Sequence, residues 1–326
     1  MVFKRMLGAF GVGAPSVDTV LSTPRTRPGG TLAGEVRLKG GDFDAEIEHV
    51  TLGLVARVEI EHGDGEGAGL SQFGSARVSG PFKLGKGEER TIDFQIPVPW
   101  EAPISEISGR PLTGMAVGVR TELAIAKAVD KGDLDMVAVE PLPSQLRILE
   151  SFLQLGFAFK SADLEAGRLY GVQQELPFYQ EIEFYPTGHY AGRVGEVEVT
   201  FVADPAGLAV VLEADKRSGR YSSNDAIGRF HVSHEDALHT DWAGELGRWL
   251  DSLSQFGHQG GGFGHHDNHG GYGHHDDHGH HGHHGGGAGM GMVVAAGAAG
   301  VVGGLVAGEV IEEVVEEFFE DEGDEG

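Results

Sequence analysis

Between residues 17 and 220 the apolar residues return at every second position, run after run. Leu32, Val36 and Leu38 share one side of their run. Leu52, Leu54, Ala56, Val58 and Ile60 alternate with Thr51, Gly53, Arg57 and Glu59. Ile92, Phe94, Ile96 and Val98 repeat the pattern, and Val117, Val119, Thr121, Leu123 and Ile125 continue it. A period of two turns one face of a strand to a core and the other to water, as in antiparallel sandwich strands. Pro28-Gly29-Gly30, Gly40-Gly41 and Gly85-Lys86-Gly87 punctuate the runs, and no interval holds the dozen-residue helix that a parallel α/β fold requires. The expected fold class is therefore mainly β.

Pro141-Leu142-Pro143 reads as a boundary, followed by a short helix over residues 144–155. Leu146, Leu149, Phe152 and Leu153 form its expected apolar face, and Gly156 suits the position after the helix where φ is positive. Strands are expected over 157–164, 176–184, 195–202 and Gly207–Ala214, which together make a second sandwich. Ser233 with Asp236 resembles a capping box, and Leu238, Trp242, Leu246, Trp249, Leu250 and Leu253 then recur at helical spacing. Burying each of the larger side chains stabilises by roughly 1.5–3 kcal/mol, so this helix is expected to dock on the body. The expected organisation is two antiparallel β-sandwich domains (1–140 and 141–232), an amphipathic helix (233–254), a low-complexity linker (255–308) and an acidic helix and terminus (309–326).

Charge and composition remove several function classes. The chain has no cysteine, which excludes disulfides, thiolate metal sites and thiol catalysis. Its net charge is −26, and no Lys or Arg follows Arg248. Nucleic acid and anionic lipid both demand clustered cations, so neither is the expected partner. The opening Met1-Val2-Phe3-Lys4-Arg5-Met6-Leu7-Gly8-Ala9-Phe10 is basic and then apolar, but its apolar run is short and glycine-broken. It is expected to stay in the mature chain and dock on the fold rather than act as a signal peptide.

The chain has no Gly-x-x-x-x-Gly-Lys-Ser/Thr loop, no His-Glu-x-x-His and no Gly-x-Ser-x-Gly, and it is not expected to be an enzyme. Gly69-Leu70-Ser71-Gln72-Phe73-Gly74 approaches a nucleophile elbow with the wrong spacing and reads as a mobile loop. Glu181 and Glu183, two apart on a strand, read as solvated carboxylates on a wet face rather than an acid/base pair. The acidic stretch from Val129 to Asp135 lacks the closing Glu of a calcium loop and reads as a hinge between lobes. His231, His234 and His239 straddle a helix start, so convergence on a metal is not expected.

The tail carries the candidate sites. His265, His266, His269, His274, His275, His278, His280, His281, His283 and His284 lie in one Gly/Asp-rich stretch, with His258 ahead of them. Neutral imidazoles so placed can wrap Zn²⁺, Ni²⁺ or Cu²⁺ without a fold, although no cofactor is expected to be required. The same imidazoles would gain charge on mild acidification. Residues 285–308 are long enough to span a bilayer but are glycine-dense, so membrane contact through 285–319 is not favoured. Gly300, Gly304 and Gly308 would allow close self-association there. In 309–322, Val310, Ile311, Val314, Val315, Phe318 and Phe319 fall on one helical face, with Glu309, Glu312, Glu313, Glu316, Glu317 and Glu320 on the other. Such a helix could dock in a partner's groove or on its own body, and the sequence leaves both open.

One family resemblance joins these readings. Phe3-Lys4-Arg5-Met6-Leu7, Gly11-Val12-Gly13-Ala14, Val17-Asp18-Thr19-Val20-Leu21, Phe94-Gln95-Ile96-Pro97, Arg120-Thr121-Glu122-Leu123 and Leu155-Gly156-Phe157-Ala158-Phe159 carry it, with Leu176-Pro177-Phe178 and Leu212-Glu213-Ala214-Asp215-Lys216-Arg217 later on. Over about residues 1–253 the chain resembles the bacterial sporulation-control proteins of the SpoOM family. That resemblance implies two arrestin-like β-sandwich lobes, a packed C-terminal helix, and a cytoplasmic, non-enzymatic regulator that acts through protein partners. From Ser254 onward the chain departs from the family pattern. The rival reading is a metal-binding or metal-gated adaptor working through the His-rich tail.

Overall fold

The computed structural model describes residues 13–62, 65–214 and 226–256. The N-terminal half runs β1 (Ser16–Leu21), β2 (Arg25–Thr26), β3 (Thr31–Lys39), β4 (Ala45–His62), β5 (Gly65–Ser79), β6 (Phe82–Leu84), β7 (Glu89–Pro97), β8 (Glu106–Ile107), β9 (Arg110–Pro111), β10 (Val117–Ile125), β11 (Lys131–Met136) and β12 (Ala138–Val139). The C-terminal half runs α1 (Pro143–Gln154), β13 (Phe157–Ala166), β14 (Phe178–Pro186), β15 (Val197–Ala203), β16 (Gly207–Ala214), β17 (Ala226–Ser233), α2 (His234–His239) and α3 (Trp242–Phe256). The fold is mainly β, as the alternation predicts.

A three-stranded antiparallel sheet, β1-β3-β7, faces the N-terminal part of a ten-stranded sheet ordered β11-β10-β4-β13-β14-β15-β16-β17, with β5 and β6 also paired to β4. Thr19 on β1 and Thr121 on β10 meet between the layers, their hydroxyls 2.6 Å apart. The long sheet passes from one half to the other at a single parallel register pair, Glu59 of β4 with Glu165 of β13. One hydrophobic cluster likewise spans both halves, from Leu32, Leu52 and Val119 to Phe152, Ile182, Val210 and Leu250.

The helices cover one face of the C-terminal sheet. α1 starts with Pro143, whose missing N–H costs nothing at a first helical turn, and it stops where Gly156 takes φ 82°. Its buried face is Ile148, Leu149 and Phe152 with Ser144, Gln145 and Ser151, whereas Leu153 is 57 % exposed. The buried stripe is therefore rotated from the one expected toward Ile148, Ser144 and Gln145, with Leu149 and Phe152 common to both and Phe152 stacked on Phe184 at 4.7 Å. Ser233 caps α2 as the sequence implies, its Oγ accepting from the Asp236 N–H at 3.0 Å. The expected single helix is broken at Thr240, whose backbone is extended; Trp242 opens α3 and donates from Nε1 to the Ala237 carbonyl at 2.8 Å.

Two connections expected to be loops are strands. Residues 69–74 lie inside β5, register-paired to β4, with Phe73 buried against Phe178 at 6.0 Å. The acidic stretch expected to be an inter-lobe hinge instead turns from β10 into β11, and the two strands pair from Gly118↔Met136 to Leu123↔Lys131. Asp130 and Asp133 there bind backbone, accepting from Ile125 N–H at 2.9 Å and Thr19 N–H at 2.6 Å. No described helix is long and apolar enough to cross a membrane.

Candidate functional site

Two features of the C-terminal sheet concentrate polar chemistry: its joint with the N-terminal half, and the face turned away from the helices. The joint is built from amides. Gln180 on β14 is buried among inward-facing residues, and its Oε1 accepts from Ile104 N–H at 2.8 Å while its Nε2 donates to Ile104 C=O at 2.7 Å. A primary amide can satisfy both backbone groups at once, which neither a carboxylate nor an ammonium can do. Gln174 works similarly on the neighbouring loop, donating from Nε2 to the carbonyls of Gly167, Leu176 and Phe178 and accepting from Leu169 N–H. Glu101 closes the contact, its two oxygens accepting from Glu175 N–H at 2.7 Å and Leu176 N–H at 2.8 Å.

His234 also belongs to the joint. Its Nε2 lies 2.8 Å from the Asp204 carbonyl, its Nδ1 lies 2.9 Å from Ser144 Oγ, and its ring stacks on Trp100 of the N-terminal half at 5.6 Å. His231 is exposed on β17 and His239 is exposed at the end of α2, so the three histidines serve different surroundings.

The other face of the C-terminal sheet carries carboxylates in register. Asp163 sits opposite Glu181, Glu183 opposite Glu198, and Glu198 opposite Glu213. Oxygens of Asp163, Glu165 and Glu181 lie within 4.8 Å of one another, and so do those of Glu183, Glu196 and Glu198. Lys160 offsets part of the second group's charge, its Nζ 3.0 Å from Glu183 and 2.8 Å from Glu196, and these two partners raise the lysine's pKa. Burial alone would raise Glu183, but hydrogen bonds from Ser161 and Lys160 outweigh it and hold the carboxyl low. Glu181 goes the other way: burial first, then the charges of Glu198, Asp163, Glu165 and Glu213, push it up to about 9.

Glu181 and Glu183 share the partly exposed face of β14, as the alternation implies, but their surroundings differ. Burial and neighbouring carboxylates raise the first, whereas Ser161 and Lys160 lower the second. The signal lay in a repeat across strands: Asp163-Leu164-Glu165, Glu181-Ile182-Glu183 and Glu196-Val197-Glu198 share one acidic-apolar-acidic pattern. Hard oxygen donors grouped in this way can hold protons or cations of the calcium and magnesium kind. A smaller acidic group sits on β11, where burial, then Asp133 and Asp18, push Asp135 up to about 6.

The histidines of 265–284 and the apolar residues of 310–319 lie outside the described residues. Ser71, the serine of the near-elbow, lies within β5.

The described body defines a class: a mainly β protein with several sheets, two halves welded through one of them, and helices at its C-terminal end. The family described as SpoOM protein matches residues 3–218, and the chain belongs to that family. Among curated relatives, the sporulation-control protein spo0M of Bacillus subtilis (strain 168) is 35% identical over 217 residues, which is 66% of this chain and 81% of that protein. The crystal structure of Spo0M, sporulation control protein, from Bacillus subtilis superposes with a TM-score of 0.66 at 31% identity, covering 74% of this chain and 100% of that one.

Proposed function

We propose that this protein is a non-enzymatic regulator of sporulation that acts in the cytoplasm by binding other proteins. The observation that carries the reading is the family match together with its 35% identical relative, a sporulation-control protein. The reading includes the finer architecture: two arrestin-like sandwich domains, over 1–140 and 141–232, presenting sheet faces and edges to partners, with the tail as an added interaction element. The joint supports it, since a scaffold needs its two surfaces held in a constant relation, and the Gln180 amide bonds both backbone groups of Ile104 across the halves. Crosslinking mass spectrometry in living cells, comparing the full chain with one stopped at Ser254, tests it. Specific protein partners retained on truncation place recognition on the body, partners lost place it in the tail, and no specific partner with the full chain overturns the reading.

A second reading rests on the imidazole density of residues 258–284. A metal-gated adaptor would bind Zn²⁺ or Ni²⁺ at micromolar or lower concentration and would lose partner binding or metal tolerance when those residues are deleted. Deletion without either effect sinks it.

A further inference from the structure

The N-terminal half of the long sheet has an outer face of its own. Leu52, Leu54, Ala56, Val117 and Val119 point into the core, so their neighbours point out. Across four strands the outward residues form rows: Gln72, Val55, Gly118 and Met136 in one, and Ser75, Gly53, Arg120 and Leu134 in the next. The two glycines bring no side chain of their own: the Gln72 side chain lies over Gly53 and that of Leu134 over Gly118, and Val55, Leu70, Leu134 and Met136 line a shallow apolar depression beside them. Val55 is buried yet stands apart from the main core cluster, and Met136 is 47 % exposed. Four strands at about 4.8 Å spacing make a face about 15 Å across, wide enough for one helix.

Arginines border the depression. Arg57 follows Val55 by two on β4, and Arg77 is the register partner of Thr51; both are exposed, and among the described residues neither has an ion pair. Arg120 adds a third, shared with Glu122 at 3.7 Å. The same chain ends in a segment of complementary chemistry, with paired apolar residues Val310/Ile311, Val314/Val315 and Phe318/Phe319 and glutamates between them. Residues 257–308 link that segment to α3, and a Gly-rich linker of this length has a reach of roughly 40 Å. The carboxylate face of the C-terminal half would repel the same segment, so charge selects the arginine-bordered face.

We propose that residues 309–322 seat as a helix on the outer face of β5-β4-β10-β11, apolar pairs over Val55, Leu134 and Met136, glutamates toward Arg57, Arg77 and Arg120. The body then carries its own C-terminal segment as a removable cover, and a partner for this face must displace it. The proposal is independent of the scaffold reading, because a body whose tail never docks can still bind partners in cells.

The cysteine-free chain allows a direct test. Full-length protein carrying Met136→Cys with Val315→Cys is oxidised at low concentration, beside full-length protein carrying Gln95→Cys, on the three-stranded sheet, with Val315→Cys. Intramolecular disulfide is expected to form at least ~10-fold faster at position 136, because docking raises the local concentration there. The preference is expected to fall several-fold with Arg57→Glu and Arg77→Glu together, and with Phe318→Asp and Phe319→Asp, the latter pair lying outside the described body. Equal rates at the two positions overturn the proposal, and so does a preference indifferent to both pairs of substitutions. Disulfides that form between chains and grow with concentration also overturn it, in favour of a second copy as the occupant.

Discussion

Ser144 Oγ lies 2.9 Å from Nδ1 of His234, tying the first turn of α1 to the first turn of α2 within the C-terminal half, beside the joint. The other ring nitrogen faces a carbonyl, that of Asp204, so Nε2 must carry the proton. Nδ1 is therefore the acceptor and the Ser144 hydroxyl the donor. A histidine fixed in one tautomer by a backbone carbonyl, and stacked on Trp100, is a structural tie between three segments.

His234→Ala removes both hydrogen bonds and the Trp100 stack at once. It is expected to destabilise the fold by about 2–4 kcal/mol. Ser144→Ala removes one bond from a buried serine and is expected to cost about 1 kcal/mol. Urea unfolding of the two variants and their double mutant checks this; additive effects would show that the pair is not coupled.

Gln180→Leu keeps the bulk at the joint but orphans the N–H and C=O of Ile104 together. Two buried backbone groups left without partners are expected to cost about 2–5 kcal/mol. Because these bonds cross between the halves, the unfolding transition is also expected to broaden or split. A sharp single transition, shifted by less than about 1 kcal/mol, would show that the joint is held elsewhere.

Gly114 has φ 93°, and a Cβ placed there would lie 2.2 Å from the Ala162 carbonyl oxygen. That close approach lets Thr113 C=O accept from Ala162 N–H at 3.0 Å, at the irregularity in the β13–β14 register. Gly114→Ala meets both the unfavourable φ and the backbone clash and is expected to cost at least about 2 kcal/mol. Gly109→Ala has a comparable φ of 80° but open space around it, and should cost less. A thermal-unfolding comparison of the two separates clash from φ.

Much of the mainly β fold was legible, and the gaps have physical causes. Gly207–Ala214 is read to the residue because Leu208, Val210 and Leu212 are all core and the strand has partners on both sides. β5 hides because its glycines and small residues carry little alternation; what makes it a strand is the long β4 beside it. The hinge expected at 129–135 fails for a related reason: Asp130 and Asp133 look like loop residues until their backbone partners, Ile125 and Thr19, are known. For the site, each strand's sequence shows which face a glutamate takes, but the register that sets Glu183 opposite Glu198 is non-local. The pairing of Ser144 with His234 is non-local too, and no spacing rule could have found it.

That crowding of carboxylates has a consequence for stability against pH. Burial, then the neighbouring carboxylates, raise Glu181 from an ordinary 4.5 to about 9 in the folded protein. Between those values the native state binds a proton that the unfolded state has lost. The contribution is fully present below about pH 4.5 and disappears as pH rises through about 9. Asp135 acts in the same direction over a lower window, fully present below 3.8 and lost through about 6. Asp44 and Glu88 oppose both: Lys83 lowers Asp44 and the Gly85 N–H lowers Glu88, so their support is lost only in acid, as pH falls through their depressed values. The melting temperature is therefore expected to climb from pH 9 to pH 6 before acid unfolding sets in. Glu181→Gln is expected to flatten that climb and to raise stability at pH 9 by up to a few kcal/mol, on the order of what a shift of this size represents. Lys160→Met should do the reverse to the adjacent group, leaving Glu183 and Glu196 facing each other without their shared cation and steepening the loss of stability at high pH. Calorimetric scans of the three proteins across pH 5–9 decide it, and parallel curves for the natural chain and Glu181→Gln would mean that Glu181 is ionised in the native state after all.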